Sequence, residues 1–141
     1  MTSKLTPFHL AMPVDDIDEA RRFYGEVLQC KEGRSAERWV DFDLFGHQLS
    51  LHLAQGCGDR AANPVDGDSV PIPHFGVVLP WDAWHELRDR LLANDTEFVI
   101  PPRIRFQGEP GEQATLFFRD PAGNALEFKS FRDPSLLFAA Q

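Results

Sequence analysis

The sequence predicts an α+β fold in which two halves of the chain repeat one plan. A strand-like segment, an amphipathic helix and further strands occur twice in the same order. A histidine opens the first strand of each half, at His9 and at His74. The chain has 141 residues, is 43% hydrophobic and contains twelve phenylalanines, which is enough to bury one core. We therefore expect a single domain of residues 1–141 built from two modules.

Shifts in composition set the module boundaries. The first module spans residues 6–55 and the second spans residues 72–132. Residues 56–71 are rich in Gly, Pro, Asp and Asn, so we interpret them as a connector. Residues 133–141 form a C-terminal tail that ends in apolar side chains.

The first module begins with a strand over residues 8–14. Asp15 or Asp16 can cap the helix that follows, and Ile17, Ala20 and Val27 fall at helical spacing on one face. Two more strands are predicted over residues 39–45 and 48–54, joined by a turn at residues 46–47.

The second module repeats this order from a strand over residues 74–79. Pro80 precedes a helix with two tryptophans and three leucines at helical spacing. A short strand over residues 97–100 is expected to stop at Pro101 and Pro102. The last strands, 114–118 and 124–131, are joined by a turn that starts at Asp120. Residues 103–113 between them are irregular and long, and we interpret them as a lid or substrate loop.

Strand alternation predicts which side chains share a face. Gln48, Ser50 and His52 lie opposite the leucines of their strand, and Glu127 lies opposite Leu126 and Phe128 in its own strand. We expect two sheets curved towards each other, with these polar faces enclosing a cleft.

Glu127 interrupts an apolar strand, where a carboxylate is costly to bury unless it is paired or binds a metal. His9, His74 and Glu127 could together form a two-histidine, one-carboxylate metal site. In the alternative interpretation, the histidines are satisfied at their strand starts and Glu127 pairs with Lys129 or an arginine.

The charge balance excludes some functions. With 14 Lys and Arg against 22 Asp and Glu, the formal net charge is −8, which disfavours binding to nucleic acid or to anionic membranes. No apolar run is long enough to span a membrane. Cys30 and Cys57 match neither a disulfide framework nor a zinc motif, so we expect a cytoplasmic protein with reduced thiols.

Four separated segments resemble the vicinal oxygen chelate superfamily, which includes glyoxalase I, extradiol dioxygenases, methylmalonyl-CoA epimerase, fosfomycin-resistance thiol transferases and bleomycin-binding proteins. These segments are residues 8–16, 23–28, 74–77 and 118–127, in the family's order. Within the superfamily, the chain resembles small proteins described as dioxygenases of the extradiol type. The resemblance implies two βαβββ modules that form an open mixed-sheet cup, the glyoxalase / extradiol dioxygenase fold, around a divalent metal.

The resemblance also implies a ligand set. It places metal ligands at His9, His74 and Glu127, and superposing the halves puts Ser50 where members of the glyoxalase type supply a fourth ligand. Serine is a poor ligand for such a metal. Three protein ligands leave positions open for a catechol-like substrate and dioxygen, so we expect an extradiol-type dioxygenase with Fe(II), or alternatively Mn(II) or Zn(II).

Several alternatives remain open at this point. His52 is our candidate for a catalytic acid–base group beside the metal, or else for a replacement ligand or a partly exposed strand residue. The chain could instead be a metal-dependent lyase, epimerase or thiol transferase, or a non-catalytic binding protein of the bleomycin-resistance type. We expect a small-molecule substrate and a homodimer, in which the modules can exchange between subunits.

Overall fold

The computed structural model describes residues 5–54, 61–65 and 68–140, and every structural statement below refers to these residues. Cys57 lies outside them. The architecture is α+β, with two four-stranded mixed sheets and few helices, as the sequence predicts. No helix in the described part of the chain is both long and apolar enough to cross a membrane.

The first sheet contains β1 (His9–Val14), β2 (Lys31–Ala36), β3 (Trp39–Leu44) and β4 (His47–Leu53), in the order β1-β4-β3-β2. Strand β1 runs parallel to β4, and the other pairs are antiparallel. Helix α1 (Ile17–Arg21) connects β1 to β2 and continues as a π-helical turn, Arg22–Val27. Asp16 caps α1, since its side chain accepts a hydrogen bond from the backbone of Glu19.

The second sheet contains β7 (His74–Phe75), β8 (Phe98–Arg105), β9 (Gln113–Arg119) and β10 (Ala125–Phe131), in the order β7-β10-β9-β8. Strand β7 runs parallel to β10, like β1 and β4 in the first sheet. Helix α2 (Trp81–Ala93) begins directly after Pro80, as predicted. A short 3₁₀ helix, Pro134–Leu136, follows β10.

Several elements differ from the sequence prediction. The strand predicted over residues 74–79 is limited to His74–Phe75. The connector contains a two-stranded hairpin of β5 (Ala61–Val65) and β6 (Asp68–Ile72). Strand β2 was not expected, because all six of its residues are exposed and carry no alternation of apolar side chains. Strand β8 continues through Pro101 and Pro102, which an edge strand tolerates where its register is irregular, so the loop before β9 is shorter than predicted.

Both sheets contribute to one hydrophobic core. Buried side chains from the first sheet and α1 form a single cluster with those from α2, β9 and β10. Its largest members are Trp84, Tyr24, Phe42, Phe118 and Phe128. Because the apolar sides of both sheets meet here, the opposite, polar side of each sheet is directed away from this core.

The carboxylate of Asp120, in the turn before β10, connects the two modules. It accepts hydrogen bonds from the Tyr24 hydroxyl (2.7 Å), from the side chain and backbone of Asn124, and from the backbone of Ala122. The Asn124 amide group also donates to the backbone oxygen of Pro13 at 2.7 Å. Tyr24 and Pro13 belong to the first module, so these hydrogen bonds hold the turn of the second module against the first.

Burial raises the pKa of Asp120, and the hydrogen bond from Tyr24 partly offsets this effect. Burial, together with the charge of Asp120, also raises the pKa of Tyr24 well above its ordinary value. The Tyr24 hydroxyl therefore stays protonated and keeps donating at physiological pH.

We predict that Tyr24→Phe lowers the free energy of unfolding by about 1.5–3 kcal/mol at neutral pH, the usual cost of losing a hydrogen bond to a charged group. Without the hydroxyl, the pKa of folded Asp120 rises further, so the loss grows as the pH rises through the already raised pKa of this carboxyl and shrinks as the pH falls below it. Urea unfolding of both proteins across this range measures the effect. In an Asp120→Asn background the same substitution should cost much less, and an equal cost in both backgrounds would contradict the prediction.

Candidate metal centre

His74 and Glu127 face each other across β7 and β10. Parallel pairing aligns His74 with Ala125, so Glu127 lies two residues further along its strand and on the same face. The Nε2 atom of His74 is 3.3 Å from Oε1 of Glu127, and both side chains are partly buried. The sequence prediction that these two residues share a site is consistent with this contact.

Each member of this pair is held on its far side. Nδ1 of His74 lies 2.7 Å from the backbone oxygen of Pro71, which can only accept, so Nδ1 carries the proton. Oε2 of Glu127 accepts a hydrogen bond of 2.6 Å from the Thr115 hydroxyl. The Phe117 ring packs edge-on against the imidazole, with 4.8 Å between ring centroids. These contacts fix both side chains with their remaining acceptor atoms directed at each other.

The resulting geometry favours a cation. In the neutral imidazole, the Nε2 lone pair opposes a carboxylate oxygen, so the two atoms repel unless a proton or a metal ion lies between them. Imidazole nitrogen and carboxylate oxygen are suitable ligands for Fe(II), Mn(II) and Zn(II). The pair therefore fits the divalent metal that the sequence implies.

Gly76 allows β7 to approach β10 at this point. A Cβ atom at Gly76 would collide with the backbone carbonyl of Glu127, so any larger residue here would displace the strand that carries the carboxylate.

His9 lies on the first sheet, where its surroundings differ. It pairs in register with Gln48 of β4, its side chain is exposed, and its Nδ1 is 2.8 Å from Oε1 of Gln48. Among the described residues, its Nε2 atom makes no hydrogen bond.

Ser50 is buried and already engaged. Its hydroxyl donates a hydrogen bond of 2.6 Å to Oδ1 of Asp41, the residue directly opposite it on β3. The side-chain amide of Gln48 donates to the other oxygen, Oδ2, at 3.3 Å. Sequence analysis did not select Asp41, although pairing the predicted strands 39–45 and 48–54 around their short turn would have placed it opposite Ser50.

His52 occupies the same face, two residues beyond Ser50. It pairs with Pro13 of β1 and Trp39 of β3, and its side chain is exposed. At about 3.3 Å per residue, its Cα lies roughly 7 Å along the strand from that of Ser50.

One chain does not bring the whole predicted site together. Among the described residues, no three His, Cys, Asp or Glu side chains converge in a way that could hold a metal ion. His74 meets Glu127, but His9 lies on the edge strand of the other sheet. Within the described residues, the two polar faces do not enclose the expected cleft, because both sheets direct their apolar sides to the shared core.

Cys30 has no role in this centre. Burial raises the pKa of its thiol to about 12, with a further contribution from Asp43, so the thiol stays protonated and is a weak nucleophile.

A family model and a solved structure both match nearly the whole chain. The family model described as Glyoxalase/Bleomycin resistance protein/Dioxygenase superfamily matches residues 6–128. A crystal structure of a glyoxalase/bleomycin resistance protein/dioxygenase from Alicyclobacillus acidocaldarius is 32% identical, with a TM-score of 0.80, and the match covers 98% of this chain and 100% of that one.

Two more distant structures share the fold. The fosfomycin resistance protein FosX from Listeria monocytogenes is 21% identical with a TM-score of 0.63, and the match covers 92% of this chain and 94% of that one. Lactoylglutathione lyase from Agrobacterium tumefaciens is 20% identical with a TM-score of 0.60, covering 92% of this chain and 96% of that one. At these identities the likeness supports the architecture of two modules.

Proposed function

The chain belongs to the glyoxalase/bleomycin resistance protein/dioxygenase superfamily, and we propose that it is a metal-dependent dioxygenase of the extradiol type that acts on a small catechol-like substrate. In this proposal His9, His74 and Glu127 hold a divalent metal, with Fe(II) as the expected ion. The observation that carries the proposal is the contact of 3.3 Å between Nε2 of His74 and Oε1 of Glu127, two acceptor atoms that need a proton or a metal ion between them.

We propose that the third ligand, His9, comes from a second copy of the chain. Members of the superfamily usually form oligomers. Strands β1 and β7 are both edge strands, so one side of each pairs with no other strand in the described part of the chain. Large apolar side chains near these edges are exposed, namely Leu5, Phe8, Val78 and Phe138. A homodimer would cover them and bring His9 of one subunit to the pair on the other.

The environment of Ser50 supports the dioxygenase chemistry. Because the Ser50 hydroxyl is committed to Asp41, the first module offers a single ligand, His9, and the metal has three protein ligands in all. A bound Fe(II) with its remaining positions open would supply the reaction of dioxygen with a catechol that cleaves the ring.

The protein's own groups orient and protect the reactants. Thr115 and the Pro71 carbonyl hold the two ligands of the second module, and the Phe117 ring shields the imidazole from water. We propose His52 as the acid–base group, which would take a proton from a substrate hydroxyl and return it to the product. Its exposed imidazole lies on the same face as His9 and Ser50.

Mixing two inactive variants should test the site between subunits. We predict that His9→Ala and Glu127→Ala each abolish metal binding, because each removes one of three ligands. If the ligands come from two chains, unfolding and refolding an equal mixture should restore about a quarter of the wild-type sites, since about half of the dimers are mixed and each has one intact site. Metal content after dialysis, measured by elemental analysis, gives the result. A wild-type protein that holds no metal, together with unchanged function in Glu127→Ala, would favour the non-catalytic binding protein instead.

Oxygen uptake should test the chemistry. After anaerobic loading with Fe(II), we expect oxygen consumption with at least one member of a catechol panel and none with Glu127→Ala, which cannot hold the metal. An oxygen electrode and the absorbance of the ring-cleaved product provide the measurement. No uptake with any catechol at stoichiometric metal would contradict the dioxygenase, and turnover of a glutathione adduct or thioester would assign a lyase, a transferase or an epimerase.

His52→Gln should separate the acid–base role from a role in metal binding. We predict that it lowers kcat by about 10²–10⁴-fold and leaves the metal content unchanged, because a proton-transfer group is lost and a ligand is not. His85→Gln is the matched control, since His85 lies on α2 beside Trp81 and Trp84 and should have no effect on turnover. Loss of metal from His52→Gln would instead identify His52 as a ligand.

A further inference from the structure

Asp41 lies at the centre of a hydrogen-bond chain that ends on His9. Its Oδ2 accepts from the side-chain amide nitrogen of Gln48 at 3.3 Å, and Oε1 of Gln48 lies 2.8 Å from Nδ1 of His9. Its other oxygen, Oδ1, accepts from Ser50 at 2.6 Å, which holds the carboxylate in place. The register of β1, β4 and β3 brings these side chains to one face of the first sheet.

The donor and the acceptor at each contact of this hydrogen-bond chain are determined by the chemistry of its groups. A carboxylate only accepts, so the amide of Gln48 must turn its NH₂ group towards Asp41 and its oxygen towards His9. That oxygen also only accepts, so Nδ1 of His9 must carry the ring proton. The lone pair of the neutral imidazole is then on Nε2, the atom left free to bind a metal.

We propose that Asp41 is a positioning residue that acts through Gln48 to hold His9 in the Nδ1–H tautomer, with Nε2 ready to coordinate the metal. This inference rests on the proposed function, because it assigns His9 to a metal. Asp41 itself touches neither the metal nor the substrate in this role.

The second module achieves the same result by another route. There the backbone oxygen of Pro71 accepts from Nδ1 of His74, and this acceptor cannot rotate away. Gln48 is exposed, and its amide can rotate by 180° about its last bond, which would present NH₂ to His9 and move the proton to Nε2. Asp41 is the group that disfavours this rotation, so the first module needs it and the second does not.

The tautomer of each histidine can be measured in the metal-free protein. Two-bond ¹H–¹⁵N correlation spectra at about pH 8, above the ordinary histidine pKa of about 6.5, distinguish the two neutral forms, and His9→Gln identifies the His9 signals. We expect His9 and His74 in the Nδ1–H form in the wild type. In Asp41→Ala and in Gln48→Leu, His9 should shift towards the Nε2–H form while His74, an internal reference, does not change.

Metal affinity provides the second measurement. Losing a group that orients a metal-binding histidine typically costs 10–100-fold in affinity, so we expect the Kd for Mn(II), measured by calorimetry, to rise about 10–100-fold in both variants. Gln48→Leu changes an exposed side chain, whereas Asp41→Ala also removes the acceptor of the buried Ser50 hydroxyl. Asp43→Asn is the matched control, because Asp43 lies two residues from Asp41 on β3 and its Oδ1 accepts from the backbone of Gly46, a contact that asparagine keeps.

The outcomes separate this inference from the proposed function. An unchanged His9 tautomer in Asp41→Ala and Gln48→Leu overturns the positioning role, whatever the metal does. A changed tautomer with unchanged Mn(II) affinity overturns it as well. A wild-type protein that binds no metal overturns the proposed function, and the metal-free spectra still decide whether Asp41 sets the tautomer of His9.

Discussion

The buried carboxylate of Asp120 is the constraint on which the rest of the structure depends. It accepts from Tyr24 of the first module and from Asn124 of the second, and Asn124 reaches back to the Pro13 backbone. A carboxylate buried to this extent is stable only because donors surround it. This arrangement fixes how the helix of one module meets the last hairpin of the other. It also fixes the start of β10 at Ala125, two residues before Glu127, whose side chain lies on the face of the sheet opposite the core.

That constraint explains why one chain holds only part of the site. With Tyr24 held against the second module, the apolar sides of both sheets close on a single core, and their polar sides are turned outward. His9 and the His74–Glu127 pair then lie on faces that do not meet. A second, smaller hydrophobic cluster, formed by Val70, Ile100, Phe117 and Ala125, lies beside the His74–Glu127 pair. The Glu127 carboxylate is therefore partly shielded from water within a single chain. A carboxylate that is shielded from water attracts a cation more strongly than a solvated one.

The sequence predicted the fold well, for physical reasons. Alternation of side chains along each strand assigns residues to one face of the sheet and places Glu127 on the face of the strand-opening histidine. Superposing the two repeats aligns His9 with His74. It did not predict the parts that depend on contacts between strands. From the sequence alone, Asp41 would be interpreted as a solvated residue, and its position opposite Ser50 is evident only when β3 is paired with β4. The hairpin of β5 and β6 reads as a connector, although its Pro71 carbonyl orients His74. The polar edge strand β2 has no apolar pattern at all, because neither of its faces is buried.

The pairing of Asp41 with Ser50 also explains why the two modules are chemically unequal. Directly opposite residues on antiparallel strands have their Cβ atoms about 5 Å apart, and like charges in such positions are destabilising. A carboxylate ligand at position 50 would face the carboxylate of Asp41, whereas Glu127 faces the uncharged ring of Phe117. A hydroxyl at position 50 turns that conflict into a hydrogen bond of 2.6 Å. Asp41 is thus compatible with an oriented histidine and incompatible with a fourth, carboxylate ligand. In the proposed site, the open three-ligand centre and the orientation of His9 would therefore be two consequences of one residue on β3.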